Sequence, residues 1–353
     1  MKRDGNWAAV ERLYLDVAGL APEEQAAVLE DACEGDAALR AEVESLLEAD
    51  RRRGTFLERP PARLAADLLD RHPSALAPGA RVGGYRVERL LSVGGMGEVY
   101  LTREAATGQF AVVKLIRRHL AVDPVAVNRF AVEARAAGSL RHPNIVAVFE
   151  SGESAAGLFI AMEWVDGATL RAVMDGGRVE IRQAVEWSRQ MARGLAAAHA
   201  AGIVHRDMKP ENIMVDAAGV VKILDFGLAR VQGVVLTDAP GSGGSGTLSG
   251  TLSGTFSYLA PELLRGEPAS SDSDVFALGS VLYELFTGRH PFAGETPLDV
   301  YEAIECRTPE APSALRAGVP DGVDAVLLGM LNREIRERPA AGAIARAFEA
   351  MDG

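Results

Sequence analysis

Apolar positions change their rhythm along this chain. Between residues 85 and 162 they come in short runs, 85–91 (YRVERLL), 110–116 (FAVVKLI) and 158–162 (LFIAM). These runs are rich in β-branched and aromatic residues, which predicts strands. From 182 onward the apolar residues recur three and four apart, which predicts helices over 182–201, 275–287, 298–304, 323–331 and 344–351. One helical pattern, from Pro124 to Leu140, falls among the strands. Two further β-branched runs, 213–215 and 221–223, are separated by the polar stretch 216–219 and read as a hairpin.

Ahead of these lies a helical leader. Trp7, Val10, Tyr14 and Val17 share one helical face, Pro22 opens a second pattern with Val28, Leu29, Ala32 and Cys33, and Gly35-Asp36 leads into a third with Leu39, Val43, Leu46 and Leu47. Such short amphipathic helices need one another, or a neighbouring domain, to cover their stripes. Arg51 to Arg53 read as a solvated helix end. Pro60-Pro61, a helical pattern through Leu64, Leu68 and Leu69, and a linker with Pro73, Pro78 and Gly79 follow. The expected division is a leader over 1–58, a helix and Pro/Gly linker over 59–80, and a main domain over 81–353.

The chemistry concentrates in 203–227, IVHRDMKPENIMVDAAGVVKILDFG. Asp207 and Asn212 precede the hairpin and Asp225 follows it. Phosphoryl transfer needs that convergence: its transition state is dispersed charge held by metal ions, with a carboxylate orienting the attacking hydroxyl. Here the chain resembles the protein kinases, and with its leader it is similar to the bacterial eukaryotic-like serine/threonine kinases. The resemblance implies an α+β, two-lobed kinase fold, with a small β-rich lobe at about 81–162 and a mainly helical lobe at about 166–353, preceded by a small all-α module. It implies ATP with Mg2+ or Mn2+. Asp207 would be the catalytic base, Asn212 a catalytic-loop metal ligand, Asp225 the main metal ligand, and Lys209 the support of the γ-phosphate. Lys209 in Lys-Pro-Glu-Asn also favours serine or threonine acceptors. His205, Arg206 and Phe226 would be structural parts of the same motifs.

The likeness runs from about Tyr85 to Met351. Gly94, Gly97 and Val99 match the glycine-rich phosphate loop, and Ser92 replaces its first glycine. Lys114 would hold the α- and β-phosphates and pair with Glu133. Leu91 and Val112 would line the nucleotide cleft, Met162 would be the gatekeeper, and the backbone of Glu163 and Val165 would meet the adenine edge. His142 and His199 read as structural. The Gly/Ser/Thr-rich stretch 231–254, with its repeated SGTL, SGTL, SGTF, lies where kinases keep their activation loop. Thr247, Ser249 and Thr251 are candidate phosphosites there, and Thr255 belongs to the substrate-facing turn. Asp274 matches the buried aspartate that anchors the catalytic loop, and Arg338 the arginine that pairs with Glu262 of Ala-Pro-Glu.

Composition narrows the setting. A formal charge of −12 argues against a general affinity for nucleic acid or anionic membrane. Two cysteines far apart, Cys33 and Cys306, form no metal-type cluster and suit a reducing compartment. The start has no signal-peptide core, and no apolar run reaches spanning length. The expectation is a cytoplasmic chain, membrane-anchored only if the natural protein continues past 353. Its partners would be protein substrates, and a dimer could serve phosphorylation in trans. The rival expectation is a catalytically silent nucleotide-binding scaffold. A small-molecule phosphotransferase is disfavoured by Ala260-Pro261-Glu262 and Asp274.

Overall fold

The computed structural model describes residues 76–94, 97–116, 138–226, 257–294 and 296–351, together with six leader positions, 28, 29, 32, 33, 40 and 43. The chain divides into two compact units, Met1–Ala75 and Leu76–Gly353. In the first, Leu29, Cys33 and Val43 are buried, whereas Val28 and Ala32 are exposed. The apolar stripe there is narrower than its sequence pattern, because only positions one turn apart share the covered face. The second unit begins at Leu76 and not at 81. Leu76 and Ala80 pack against the small lobe's core, and the Leu76 amide donates to the Tyr100 hydroxyl oxygen.

The small lobe is a six-stranded antiparallel sheet. Its strands are β1 (Arg81–Val82), β2 (Tyr85–Gly94), β3 (Gly97–Glu104), β4 (Phe110–Ile116), β5 (Val148–Ser154) and β6 (Gly157–Glu163), in the spatial order β1-β2-β3-β4-β6-β5. Period-two alternation sorts its side chains. Ala111, Val113 and Leu115 of β4 join Tyr85, Tyr100 and Phe159 in one core, while Val112 packs with Met162 and Val165 in another. Lys114 therefore shares the face of Val112, toward the second cluster.

A second sheet, β7 (Gly167–Thr169), β8 (Ile213–Asp216) and β9 (Val221–Ile223), opens the large lobe. The hairpin pairs Ile213 with Ile223, and Asp216 accepts the amides of Ala218 and Val220 to close its turn. Strand β7 and the short helix α1 (Leu170–Asp175) were not foreseen. Three residues pair here only because Asp216 and its neighbours present an edge.

The remaining large-lobe helices are α2 (Ile181–Ala200), α3 (Pro261–Leu264), α4 (Ser271–Thr287), α5 (Pro297–Cys306), α6 (Pro312–Leu315), α7 (Asp321–Met330) and α8 (Ala341–Met351). Helix α4 is apolar nearly all round, as a central helix must be, and is buried over most of its length. Ser270 and Ser273 form a reciprocal capping box at its start, and Gly288, at φ 73°, ends it in the left-handed region. Around it pack α2, α6 and α7.

Glu262 and Arg338 meet in a fully buried pair at 2.7 and 2.8 Å. The Ser273 hydroxyl donates to the same carboxylate. The guanidinium also donates to the carbonyls of Asp272, Asn332 and Arg333 and lies over the Phe276 ring. Burial would raise the Glu262 carboxyl, but the Arg338 and Ser273 hydrogen bonds outweigh it and hold the group below its ordinary 4.5. A depressed carboxyl stabilises the fold above its unfolded pKa and loses that contribution as pH falls toward the folded value. We expect Glu262→Gln to cost about 3 kcal/mol at pH 7, because it leaves a buried guanidinium short of charge. Urea unfolding should show the gap from wild type narrowing below about pH 4.5.

Candidate active site

The site is built on a buried carboxylate. Asp274, in the first turn of α4, is 2% exposed. It can remain there only if donors surround it. Its Oδ2 accepts the His205 amide at 2.7 Å and His199 Nε2 at 2.9 Å, and its Oδ1 accepts the Arg206 amide at 2.8 Å. The catalytic-type loop is thereby tied to the central helix through its own backbone. Arg206 sits at φ 72°, a left-handed conformation of a non-glycine residue, which costs of order 1–3 kcal/mol and is held by its amide bond to Asp274. His199, read from the sequence as packing alone, is part of this anchor. Its spacing on α2 gave no sign of the partner, which lies 75 residues away.

His205 carries the constraint onward. Its Nδ1 accepts the Asp207 amide at 3.1 Å, so Nε2 is the nitrogen that donates to the Leu224 carbonyl at 2.7 Å. Its ring meets Phe226 edge to face at 4.7 Å. The Leu224 amide donates to the Asn212 carbonyl. The two ends of the hairpin, before β8 and after β9, are therefore bonded to one another, and Asp207, Asn212 and Asp225 follow.

Asp207 accepts from Lys209 Nζ at 2.8 Å to Oδ2 and from Asn212 Nδ2 at 2.9 Å, while Asn212 also donates to the Asp207 carbonyl. Lys114 Nζ and Asp225 Oδ2 lie 2.7 Å apart, with the lysine side chain 10% exposed. A buried ammonium requires such an anion. The partner anticipated from the sequence, Glu133, lies outside the described residues. Asp225 has φ 56°, so its side chain is turned out of line with β9.

Above this group, Val112, Met162 and Val148 are cross-strand neighbours, and Val112, Met162 and Val165 form an apolar cluster with Met214 and Leu224. Met214 and Leu224 were missed in the sequence. Both lie within motif reach of Asn212 and Asp225, but only the packing of the hairpin against the sheet gives them Met162 and Val165 as neighbours. Ile145, Val146, Val148, Met162, Ile223, Asp225 and Phe226 line a small cavity behind Met162.

The glycine-rich turn joins β2 and β3, with Gly94 opposite Gly97, Ser92 opposite Val99, and Val99 opposite Lys114. At Gly97 (φ 153°) a Cβ would fall 1.8 Å from the Leu115 carbonyl oxygen, so glycine is required there by close approach. Ser92 is an exposed strand position, and Leu91 lies at a register shift of β2. The candidate phosphosites Thr247, Ser249 and Thr251, and Thr255 with them, lie outside the described residues. Just beyond, Tyr258 donates to Glu284 at 2.5 Å, and Arg171 bonds both Glu284 and Tyr258. Burial would raise the Glu284 carboxyl, but Arg171 and Tyr258 keep it low; burial and Glu284 drive the Tyr258 phenol strongly up.

A β-sheet lobe and a helical lobe that gather two ammonium groups, two carboxylates and an amide under an apolar roof define a fold of the two-lobed kinase type. Residues 85–347 match the protein kinase domain family, and the chain belongs to that family. It is 39% identical to the serine/threonine-protein kinase PknB of Mycobacterium tuberculosis over 268 residues, 74% of this chain and 42% of that protein. It is 37% identical to the serine/threonine-protein kinase PrkC of Bacillus subtilis over 255 residues, 71% of this chain and 38% of that protein. The chain thus spans about two fifths of the length of the curated relatives it matches. The crystal structure of the Mycobacterium tuberculosis PknI kinase domain has a TM-score of 0.60 to it, at 27% identity, covering 78% of this chain and 99% of that one. Among the described residues no helix is long and apolar enough to cross a membrane.

Asp274→Asn turns one of the two acceptor oxygens into a donor that faces at least one of these three donors. We expect a stability loss of about 2–4 kcal/mol by urea unfolding and faster hydrogen exchange at the His205 and Arg206 amides than elsewhere in the loop.

Proposed function

We propose that this chain is an ATP-dependent protein serine/threonine kinase. The observation that carries the reading is the convergence of Asp207, Lys209 and Asn212 in one hydrogen-bonded group, with Lys114 of β4 paired to Asp225 just beyond β9. In this reading Asp207 orients the acceptor hydroxyl and takes its proton as the hydroxyl oxygen bonds to the γ-phosphorus and the bridging bond to ADP breaks. Lys209 passes from Asp207 to the γ-phosphate, and Lys114 from Asp225 to the α- and β-phosphates.

The donors also suit a magnesium or manganese ion. Asp225 offers carboxylate oxygens and Asn212 an amide oxygen. Among the described residues there is no cluster of three or more His, Cys, Asp or Glu side chains. Such a sparse set of hard oxygen ligands fits an ion that keeps water and takes its other ligands from substrate phosphates. When bound, the ion neutralises charge building between the phosphates.

Leu91, Gly94, Gly97, Val99, Val112 and Met162 would enclose the nucleotide, with the backbone of Glu163 and Val165 at the adenine edge and Glu133 pairing Lys114. The acceptors would be serine or threonine hydroxyls of cytoplasmic proteins, including this chain's own Thr247, Ser249 and Thr251, modified in trans within a dimer. Arg206, next to the base, would receive that phosphate. Thr255 would stay unmodified, because its hydroxyl serves the catalytic loop. The leader, 1–58, would dock a partner or restrain the kinase.

Incubation with labelled ATP, Mg2+ and a generic protein acceptor tests the reading directly. Asp207→Asn and Lys114→Met should each lower transfer by at least a thousandfold, with ATP binding by Asp207→Asn within about threefold of wild type. A wild-type chain that binds ATP and transfers nothing would be the silent scaffold. Intact mass together with site mapping of the phosphopeptides should place self-phosphorylation within 245–253 and find none in Asp207→Asn. Full activity in a Thr247, Ser249 and Thr251 triple alanine variant would remove the activation-loop proposal and leave the kinase reading standing.

A further inference from the structure

Glu163, the last residue of β6, stands where the sheets of the two lobes meet. Its amide donates to the Ala147 carbonyl at 2.8 Å, and its own Oε2 accepts the Ala147 amide at 3.1 Å. Both carboxylate oxygens take Lys222 Nζ, at 2.7 Å to Oε1 and 2.9 Å to Oε2. Lys222 lies on β9 opposite Met214 in the pairing register. The next residue, Ile223, bonds through its amide to the Asn144 carbonyl and through its carbonyl to the Val146 amide. Residues 144–147 are thus a shared rail, with β9 on one side and Glu163 on the other. The Asn144 side chain reinforces it by donating to the Val221 carbonyl and to Gln190 of α2.

An exposed lysine–glutamate pair holds little energy and less geometry. This one differs in two respects. Both side chains are mostly covered, at 17% and 28% exposure, and the carboxylate has a third, backbone donor that fixes its plane. The residue so held is the first after Met162, and its backbone leads directly to Val165. Lys222 is in turn three residues ahead of Asp225, so β9 carries the clamp on the connection between the lobes and leads directly to a metal-type carboxylate.

We propose that Lys222 is a positioning residue for the nucleotide. By holding the Glu163 carboxylate against the Ala147 amide, it fixes the direction of the 163–165 backbone that receives the adenine edge. It touches neither substrate nor metal. This rests on the nucleotide-cleft reading above.

The test is a split between binding and turnover. Lys222→Met raises the KM for ATP about fivefold to tenfold, the size expected for a charge-assisted hydrogen bond that is partly screened, and leaves kcat within twofold. Adenosine, which carries the adenine edge without phosphates, loses inhibition by the same factor. Tripolyphosphate, which lacks the base, is unchanged. Lys222→Arg restores the KM to within about twofold, because its fork still reaches both oxygens. Glu163→Gln raises the KM as Lys222→Met does, and the double variant is no worse than either single one, the mark of one shared interaction. A fall or rise in kcat at unchanged KM overturns the proposal, since the pair would then act on lobe motion. Equal losses for adenosine and tripolyphosphate also overturn it. A wild-type chain that binds neither ATP nor adenosine overturns the cleft reading itself, whereas binding by wild type with unshifted Lys222→Met overturns only the role of Lys222.

Discussion

The buried carboxylate of Asp274 is the constraint on which the catalytic loop depends. A charge removed from water must be met by donors in place, and here two of the three are backbone amides of the loop itself. The loop therefore cannot relax away from α4 without leaving the charge bare. That cost is large enough to hold Arg206 in a left-handed conformation which, left to itself, it would leave. His205 extends the same logic one step, because both of its ring nitrogens are engaged, one with the Asp207 amide and one with the Leu224 carbonyl. Asp207 and the segment that follows β9 are set by a chain of bonds that begins at a single buried side chain.

A second buried charge pair secures the segment facing the loop. Glu262 and Arg338 are both satisfied to their last oxygen and nearly their last proton by Ser273 and three carbonyls. Such a pair is weak as a source of net stability but costly to break. It therefore specifies where α3 lies more than it strengthens the fold. Tyr258, Arg171 and Glu284 repeat the device between α1, α4 and the stretch before α3. In both cases partners far apart in sequence are joined by groups whose desolvation is tolerable only when all are present.

Between the lobes the coupling is of several kinds. The small lobe's sheet keeps its apolar face for Met162, Val112 and Val165, and places Lys114 on the same side by simple alternation. The seam is made by residues 144–147, by the bonds of Ile223 and by the Glu163–Lys222 pair. Hydrogen bonds, the Glu163–Lys222 and Lys114–Asp225 ion pairs, and the cluster that joins Val112 and Met162 to Met214 and Leu224 together keep the register of this junction.

Much of this was readable in the amino-acid order, because local rules govern it. Alternation and turn residues set β4, β6 and the β8–β9 hairpin to within a residue or two, and apolar periodicity did the same for α2, α5 and α7, whereas α4 and α8 begin earlier, at Ser271 and Ala341, than the expected 275 and 344. Motif spacing marked Asp207, Asn212, Asp225 and Lys114 as candidates for the same chemistry. What remained hidden were relations with no local signal. His199 is one, since its partner lies across the lobe. Met214 and Leu224 are two more, since nothing but the docking of the hairpin brings them into the cluster of Met162 and Val165. Lys222 is another, since its partner sits 59 residues earlier on a strand of the other lobe. Short elements such as β7 and α1 were also invisible, because three residues become a strand only when an edge is offered. Sequence determines what a segment can be on its own. The choice of which buried charge meets which donor belongs to the tertiary structure, because only there is water removed and an unmet group made costly.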